Sequence, residues 1–357
     1  MKRRPALRPK PKRRIKSKIS GSSRKTRKVV RISVLFLVSL CVLTTLAAYK
    51  YLDRKFASAS SSHSSEYSIK DLSSPAIMFV VLQNIDSDPL VIKSMSFLFL
   101  DTDANRTISY NLPVQAQIDA PGRFGIEEIS KLFSLAALDS EDSLEAGVTY
   151  AEKAVFRIFA YRSDKFIVID SKLEEYFNRL FENGDSLAFL SGEFLSSMGE
   201  LMYTDLSMPD FMRLVSYIGA VPKDYRIERN LSSDPSAHID EIDKAIQEIN
   251  IDSIIADEGE SIAVLNGSNI PGQAGFVSRA IKNMGGRVVA VNNTDVGYEK
   301  SLIVADNPTS ETTMRLSRVL GIDTVINKSD GGSQIGEGEL YRADIVVILG
   351  FDSGDNL

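Results

Sequence analysis

The chain has 357 residues, 43% of them hydrophobic and 25% charged, with one cysteine and two histidines. That length holds about two ordinary domains, and the composition is that of a globular protein rather than a disordered one. Its net charge of −5 conceals a split: residues 1–31 carry fifteen Lys or Arg and no acid, leaving 27 bases against 47 acids in the remainder.

A basic arm on an acidic body differs from a nucleic-acid-binding domain, whose basic residues lie on folded faces. Attraction to anionic headgroups is the expected role of the arm, a nucleic-acid-binding tail the alternative; no nucleic-acid partner is expected. Residues 32–49 (ISVLFLVSLCVLTTLAAY) are uncharged and mostly apolar, at the lower end of the roughly 17–25 residues that cross a bilayer as a helix. An uncleaved anchor is expected there. The alternative is the hydrophobic part of a signal peptide, usually ~7–15 residues long, with Ala57-Ser58-Ala59 as a small-residue cleavage site. The excess of Lys and Arg before the run places the N-terminus in the cytoplasm and the body outside. Cys41 lies inside the run, so no intrachain disulfide framework exists. His63 and His238 belong to no Cys/His cluster, which argues against a zinc site or a Ser-His-Asp arrangement.

Residues 56–68 (FASASSSHSSEYS) have the composition of a flexible spacer. The fold begins near Pro75, with apolar runs at 76–82 and 95–100 suited to buried strands and a weaker third at 108–112. Pro121-Gly122 marks a break. Ile129, Leu132, Phe133 and Ala136 then share a helical face, as do Leu144, Val148, Ala151 and Val155. After a strand at 166–169, Ser171-Lys172-Leu173-Glu174 reads as a capping box. It opens a helix with Leu173, Tyr176, Phe177 and Leu180 inward, stopped by Asn183-Gly184. Another helix runs from Pro209, a favoured first helical position, to Gly219. Ile242, Ala245, Ile246 and Ile249 form the apolar stripe of a connector helix.

The last hundred residues alternate strand and helix: strands at 262–265, 288–291, 302–304 and 345–349, helices ending at Gly285-Gly286 and Gly321. This pattern gives a layered α/β domain with some parallel pairing. The loop Asn266-Gly267-Ser268-Asn269-Ile270-Pro271-Gly272-Gln273-Ala274-Gly275 joins the first strand to its helix, where backbone N–H groups can meet an anion. It lacks both GxGxxG and a Gly-Lys-Ser/Thr ending. Asn266, Gly267, Ser268, Gly272 and Gly275 form a candidate ligand-binding loop; turn geometry and tight packing are the competing account of its glycines.

The stretches IAVLNGSNIPGQAGFVSRAIKNMGG, RVVAVNN and ADIVVILGFD resemble the C-terminal domain of LytR-type cell-envelope proteins over residues 261–352. Residues 76–224 are similar, more faintly, to the LytR-CpsA-Psr catalytic domain that precedes this module. There Lys93-Ser94-Met95-Ser96 stands where the family has Arg-Ser-Asp-Thr, Asn111-Leu112-Pro113-Val114-Gln115 where it has Ser-Ile-Pro-Arg-Asp, and FIVID resembles its later strand. The resemblance implies aspartates holding a divalent cation and arginines cradling a polyprenyl diphosphate whose glycan goes to the wall. Such a leaving group needs fixed positive charge, and a hard cation needs carboxylates. Here Met95 and Gln115 replace the acids and Val114 an arginine. Lys93, the remaining candidate anion contact, keeps charge without the fork of arginine. Asp86, Asp88, Asp101 and Asp103, with Arg106, Arg123, Arg157 and Arg162, could rebuild a site; the competing reading leaves them solvated.

The expected architecture is therefore α/β with a single N-terminal transmembrane helix. A basic cytoplasmic tail (1–31) precedes the anchor (32–49) and a Ser-rich linker (50–74). A middle α/β domain resembling the LytR-CpsA-Psr fold (75–231), a linker with its connector helix (232–260) and a layered C-terminal domain (261–357) follow. The expected function is a non-catalytic binding or regulatory module for wall glycan, lipid-linked precursor or a wall-synthesis partner, without cofactor. The alternatives are an active phosphotransferase, which would use magnesium, and a structural oligomerisation module.

Overall fold

The computed structural model describes residues 23–59, 68–72, 74–121, 123–249, 253–329 and 338–356. Most of the basic tail, His63 with the middle of the spacer, and Gly122 lie outside them. The chain divides into two units, Met1–Asp53 and Arg54–Leu357. Helix α1 spans Ser23–Ala57. Its large apolar side chains are exposed from Ile32 to Leu46, with Leu35 at 69% and Phe36 at 70%. Cys41, Thr45, Ala48 and Tyr49 have side chains outside the described set, so the run expected to cross the bilayer is not described as a whole. Among the described residues, no helix is long and apolar enough to cross a membrane.

The second unit is mixed α/β. Its strands begin with β1 (Ala76–Leu82), β2 (Ile92–Asp101) and β3 (Arg106–Leu112), followed by the hairpin of β4 (Gln117–Ala120) and β5 (Gly125–Glu128). β6 (Lys165–Asp170), β7 (Met202–Thr204) and β8 (Arg226–Asn230) complete a six-stranded sheet ordered β7-β6-β1-β2-β3-β8. β1 is central, parallel to β6 and antiparallel to β2. All seven of its residues are buried, as an apolar run covered on both faces must be. Helices α2 (Leu132–Ala136) and α3 (Ser143–Phe159) cover one face. Ile129, Leu132, Phe133, Val148, Ala151 and Val155 are buried there against Met78, Phe97 and Tyr110.

The opposite face carries α4 (Glu174–Asn183), α5 (Gly192–Leu201) and α6 (Met208–Ala220). Phe79 of β1 meets Phe177 and Phe181 of α4 at 4.8 and 5.7 Å, and Phe189, Phe194 and Phe211 extend the cluster. Phe56 packs on Phe211 at 5.4 Å, and Thr204 N donates to Ala59 O. The stretch read as a spacer thus starts with buried residues, Phe56 and Ala59. The expected capping box does not form. Asp170 Oδ1 accepts from Lys172 N and Oδ2 from Ile85 N, while Ser171 Oγ donates to Gln83 O. A buried carboxylate must find donors, so Asp170 takes the cap. α4 ends at Gly184, whose φ of +72° suits a residue without Cβ.

α7 (Ile239–Ile249) and α8 (Ser253–Glu258) lead to the second sheet. It is built from β9 (Ser261–Asn266), β10 (Arg287–Asn293), β11 (Leu302–Ala305), β12 (Val325–Asn327) and β13 (Ile345–Leu349). Helix α9 (Gln273–Asn283) follows β9, α10 (Glu311–Leu320) follows β11, and the short α11 (Ser353–Asn356) follows β13. The order is β10-β9-β13-β11-β12, parallel except between β11 and β13. One core runs from Phe97 through Phe159 on α3, Ile246 on α7 and Ile281 on α9 to Val264 and Val347. A polar clamp reinforces it. Arg279 of α9 pairs with Asp243 of α7 at 2.7 Å and donates to Ile158 O, while Asn283 Nδ2 donates to Phe159 O. These are carbonyls of the last turn of α3, which otherwise lack partners.

Candidate functional site

Two concave regions stand near the residues singled out in the sequence. The first is a cleft of about 370 Å³ between α4 and the face of β1, β2, β3 and β8. In register, Ser96 lies beside Phe79 and Asn111, and Ser109 beside Glu228. Ser94, Ser96, Ser109 and Asn111 supply hydroxyls and an amide, and Glu174, Glu182 and Glu228 supply carboxylates. Lys93 is tied to Glu174 at 2.5 Å, which leaves the cleft short of positive charge. Met95 is buried in the core, Val114 packs partly against it, and Gln115 is exposed.

The scattered acids and arginines do not converge. Asp101 is buried, pairing with Arg106 and accepting from Ala104 N. Arg123 pairs with Asp139 at the surface. Arg162 lies 4.7 Å from the ring of Phe156, and burial lowers its pKa. Among the described residues no group of three or more His, Cys, Asp or Glu side chains could hold a metal ion.

The second region is a crevice at the carboxyl ends of β9 and β13. Gly267 N donates to Leu349 O and Tyr298 N to Gly267 O, so the loop after β9 is stitched to its neighbours. Asn266 Oδ1 accepts from Ser268 N and Oγ, Asn266 Nδ2 donates to Ile270 O, and Ile270 N donates to Ser268 Oγ. Those polar side chains serve the loop itself. A Cβ on Gly267 would lie 2.7 Å from Tyr298 Cδ2 and 3.0 Å from Leu349 O, whereas Gly275 faces open space. Gly272, with φ +84°, caps α9 without a side-chain hydrogen bond. Of the predicted loop glycines, 267 and 272 answer to geometry, and 275 to neither close packing nor a positive φ.

Gly272 also lines an open cavity of about 470 Å³ with Ile270, Pro271, Gln273 and Phe276, to which Asp119 and Arg157 contribute as well. Arg157 Nη1 donates to Asp119 O at 2.6 Å and lies 3.2 Å from Asp119 Oδ2. Asp119, Gln273 and Phe276 were missed by sequence reasoning because they act only once the β4-β5 hairpin stands beside α9. Arg157 was singled out, but for a different site.

A buried charge group at the start of β6 was also missed. Lys165 Nζ lies 3.6 Å from Asp205 Oδ2, and Ser163 Oγ donates to Glu152 Oε1 at 3.0 Å. Burial pushes the Glu152 carboxyl up to about 7 against the Ser163 hydrogen bond, and Asp205 up to about 6 against the pull of Lys165. Glu152 comes from α3, Ser163 and Lys165 from the turn before β6 and the start of that strand, and Asp205 from the loop after β7, so no single spacing in the sequence reveals them.

Fold and site together define a mixed α/β protein with an acidic sheet-face cleft and a loop-lined crevice. Within it, residues 261–352 match the LytR_C family, described as LytR cell envelope-related transcriptional attenuator. The match spans β9 to β13, so the C-terminal part of this chain is a LytR_C domain. No curated protein matches the sequence. Similar solved structures include B. subtilis TagV, 10% identical, covering 49% of this chain and 96% of that one with a TM-score of 0.36. A structure titled "TagT bound to LI-WTA" is 12% identical, covering 47% and 85% with a TM-score of 0.33. Protein gbs0355 from Streptococcus agalactiae is 12% identical, covering 47% and 80% with a TM-score of 0.36.

Proposed function

We propose that the chain is a single-pass cell-envelope protein, its N-terminus cytoplasmic and its domains outside. There it acts as a non-catalytic binding or regulatory module for wall glycan, lipid-linked precursor or a wall-synthesis partner. The LytR_C domain supports the envelope assignment. The anchor is supported by the outward apolar side chains of residues 32–46, which water does not favour and lipid does, and by the basic segment before them.

The observation that carries the non-catalytic reading is the charge of the sheet-face cleft. Transfer from a diphosphate needs cations where negative charge develops. This cleft offers Glu174, Glu182 and Glu228, with Lys93 held by one of them. The interior behind it is filled by Met95, Phe97, Phe99 and Tyr110.

Incubating the full chain with magnesium and a polyprenyl diphosphate-linked glycan tests this directly. No turnover is expected, together with co-sedimentation on purified wall polymer. Turnover would exclude the non-catalytic reading, and self-association without sedimentation would favour an oligomerisation module. Protease added outside intact cells should digest the body; protection until lysis would overturn the topology.

A further inference from the structure

We propose that the 3-10 helix Ser186–Leu190 is a second membrane contact, with Leu187 and Leu190 entering the leaflet from which the chain emerges. This goes beyond the anchor reading and rests on it.

The residues Ser-Leu-Ala-Phe-Leu of this turn send apolar side chains in two directions. Ala188 and Phe189 are buried, and the Phe189 ring lies 4.8 and 5.8 Å from those of Phe194 and Phe211. Leu187 and Leu190 are 73% and 52% exposed. Positions three apart in a 3-10 helix eclipse one another, so the two leucines form one outward ridge rather than scattered single exposures. Water disfavours such a pair, and the boundary between headgroups and acyl chains takes it up. Asp185, the acid that opens the turn, caps Ala188 N and pairs with Arg179, which lowers the charge beside the ridge.

The path of the chain brings this ridge to the bilayer. Thr204 N, past the C-terminal end of α5, donates to Ala59 O. A Cβ on Gly199, inside α5, would lie 2.9 Å from Lys55 O. Stepping back from Ala59 to Lys55 therefore moves along α5 toward its N-terminus, which the cap Ser191 joins to Ser186–Leu190. Phe56 meets Phe211 at 5.4 Å, the same ring on which Phe189 packs. The apolar run 32–49 ends seven residues before Phe56, about 10 Å of helix. A headgroup layer is about 5–7 Å deep, so a run that spans the bilayer holds the surface around Phe56 against that layer. Lys50 and Arg54, both exposed, stand between the run and Phe56 as cations for lipid phosphates.

The test is fluorescence quenching on the full chain in vesicles of phosphatidylethanolamine and phosphatidylglycerol. Leu187→Cys, Leu190→Cys, Ile126→Cys and Leu138→Cys, each in a Cys41→Ser background, carry an environment-sensitive dye, and the unchanged chain carries it at Cys41. All four replaced side chains are more than half exposed, so the substitutions leave the core intact. A lipid spin-labelled on its upper acyl chain should lower the emission at 187 and 190 roughly twofold, as for a side chain sunk ~5–10 Å into the boundary. Ile126 and Leu138 are equally exposed but belong to β5 and the turn after α2, on the α3 side of the sheet, and labels there should change little. The label at Cys41 reports the apolar run itself and should be quenched by a mid-chain spin label. Quenching at Cys41 with none at 187 and 190, or with only one of the two leucine positions quenched, would overturn the second contact alone. Equal quenching at all four surface positions would show unspecific adsorption and overturn it as well. Absence of quenching at Cys41 would sink the anchor reading together with it.

Discussion

Gly267 and Gly275 look alike in the sequence, yet only one is constrained. A methyl group at 267 meets the backbone oxygen of Leu349 and the ring of Tyr298, neither of which can retreat without opening the β9-β13 end. Gly267→Ala is expected to cost about 2 kcal/mol by overpacking, whereas Gly275→Ala, with open space inside α9, should stabilise by up to about 1 kcal/mol through helix propensity. Urea denaturation of the two variants checks the pair, and equal effects would show that the loop relaxes. At Glu152 the constraint is electrostatic. Burial pushes its folded-state pKa from the ordinary 4.5 up to about 7, so between those values the folded chain holds a proton that the unfolded chain has released. Stability contributed by this group is full below about pH 4.5, falls as pH rises to about 7, and is flat above. Glu152→Gln should therefore raise the unfolding free energy at pH 8 by about 1–2 kcal/mol, discounted for partial exposure, and change it little at pH 4.5. Thermal denaturation at both pH values reads the difference.

Elements whose own residues carry their pattern were legible in the sequence; those defined by partners were not. β1, α3, α7, β9 and β13 were readable because each buries a continuous run or a single stripe. β8 (RIERN) is polar and partly exposed, and exists because β3 offers an open edge for parallel pairing. The β4-β5 hairpin is equally polar, so the Asp119 side of the crevice stayed hidden while its glycine loop was visible. The capping box failed for a related reason: Asp170, buried at a strand end, outcompetes Ser171 for the local N–H groups. The α3-α9 clamp is a further device of partners. Arg279 is partly buried against Asp243 and two backbone carbonyls. Arg279→Ala, which strands both the acid and the carbonyls, should cost about 3 kcal/mol, and Asp243→Asn less. A double-mutant cycle should give a coupling of at least about 1 kcal/mol; additivity within error would mean that the clamp is incidental.

At the scale of the molecule, the family match begins only at Ser261, but the packing does not respect that boundary. The apolar stripe of α7, Ile242, Ala245, Ile246 and Ile249, is buried in the same core as Val277 and Ile281 of α9 and Phe159 of α3. Cutting the chain before β9 would therefore expose that stripe and the end of α3 to water, at roughly 25 cal/mol for each Å² of apolar surface uncovered. A shared core of this kind couples its parts into one cooperative transition. The region Arg54–Leu357 is expected to melt as a single calorimetric peak whose calorimetric and van't Hoff enthalpies agree. A chain ending at Glu260 should lose several degrees of Tm or bind a hydrophobic dye. Two resolved peaks in the full chain, with the first surviving unchanged in the shortened one, would show that the LytR_C domain is an independent passenger rather than part of the body that builds the crevice.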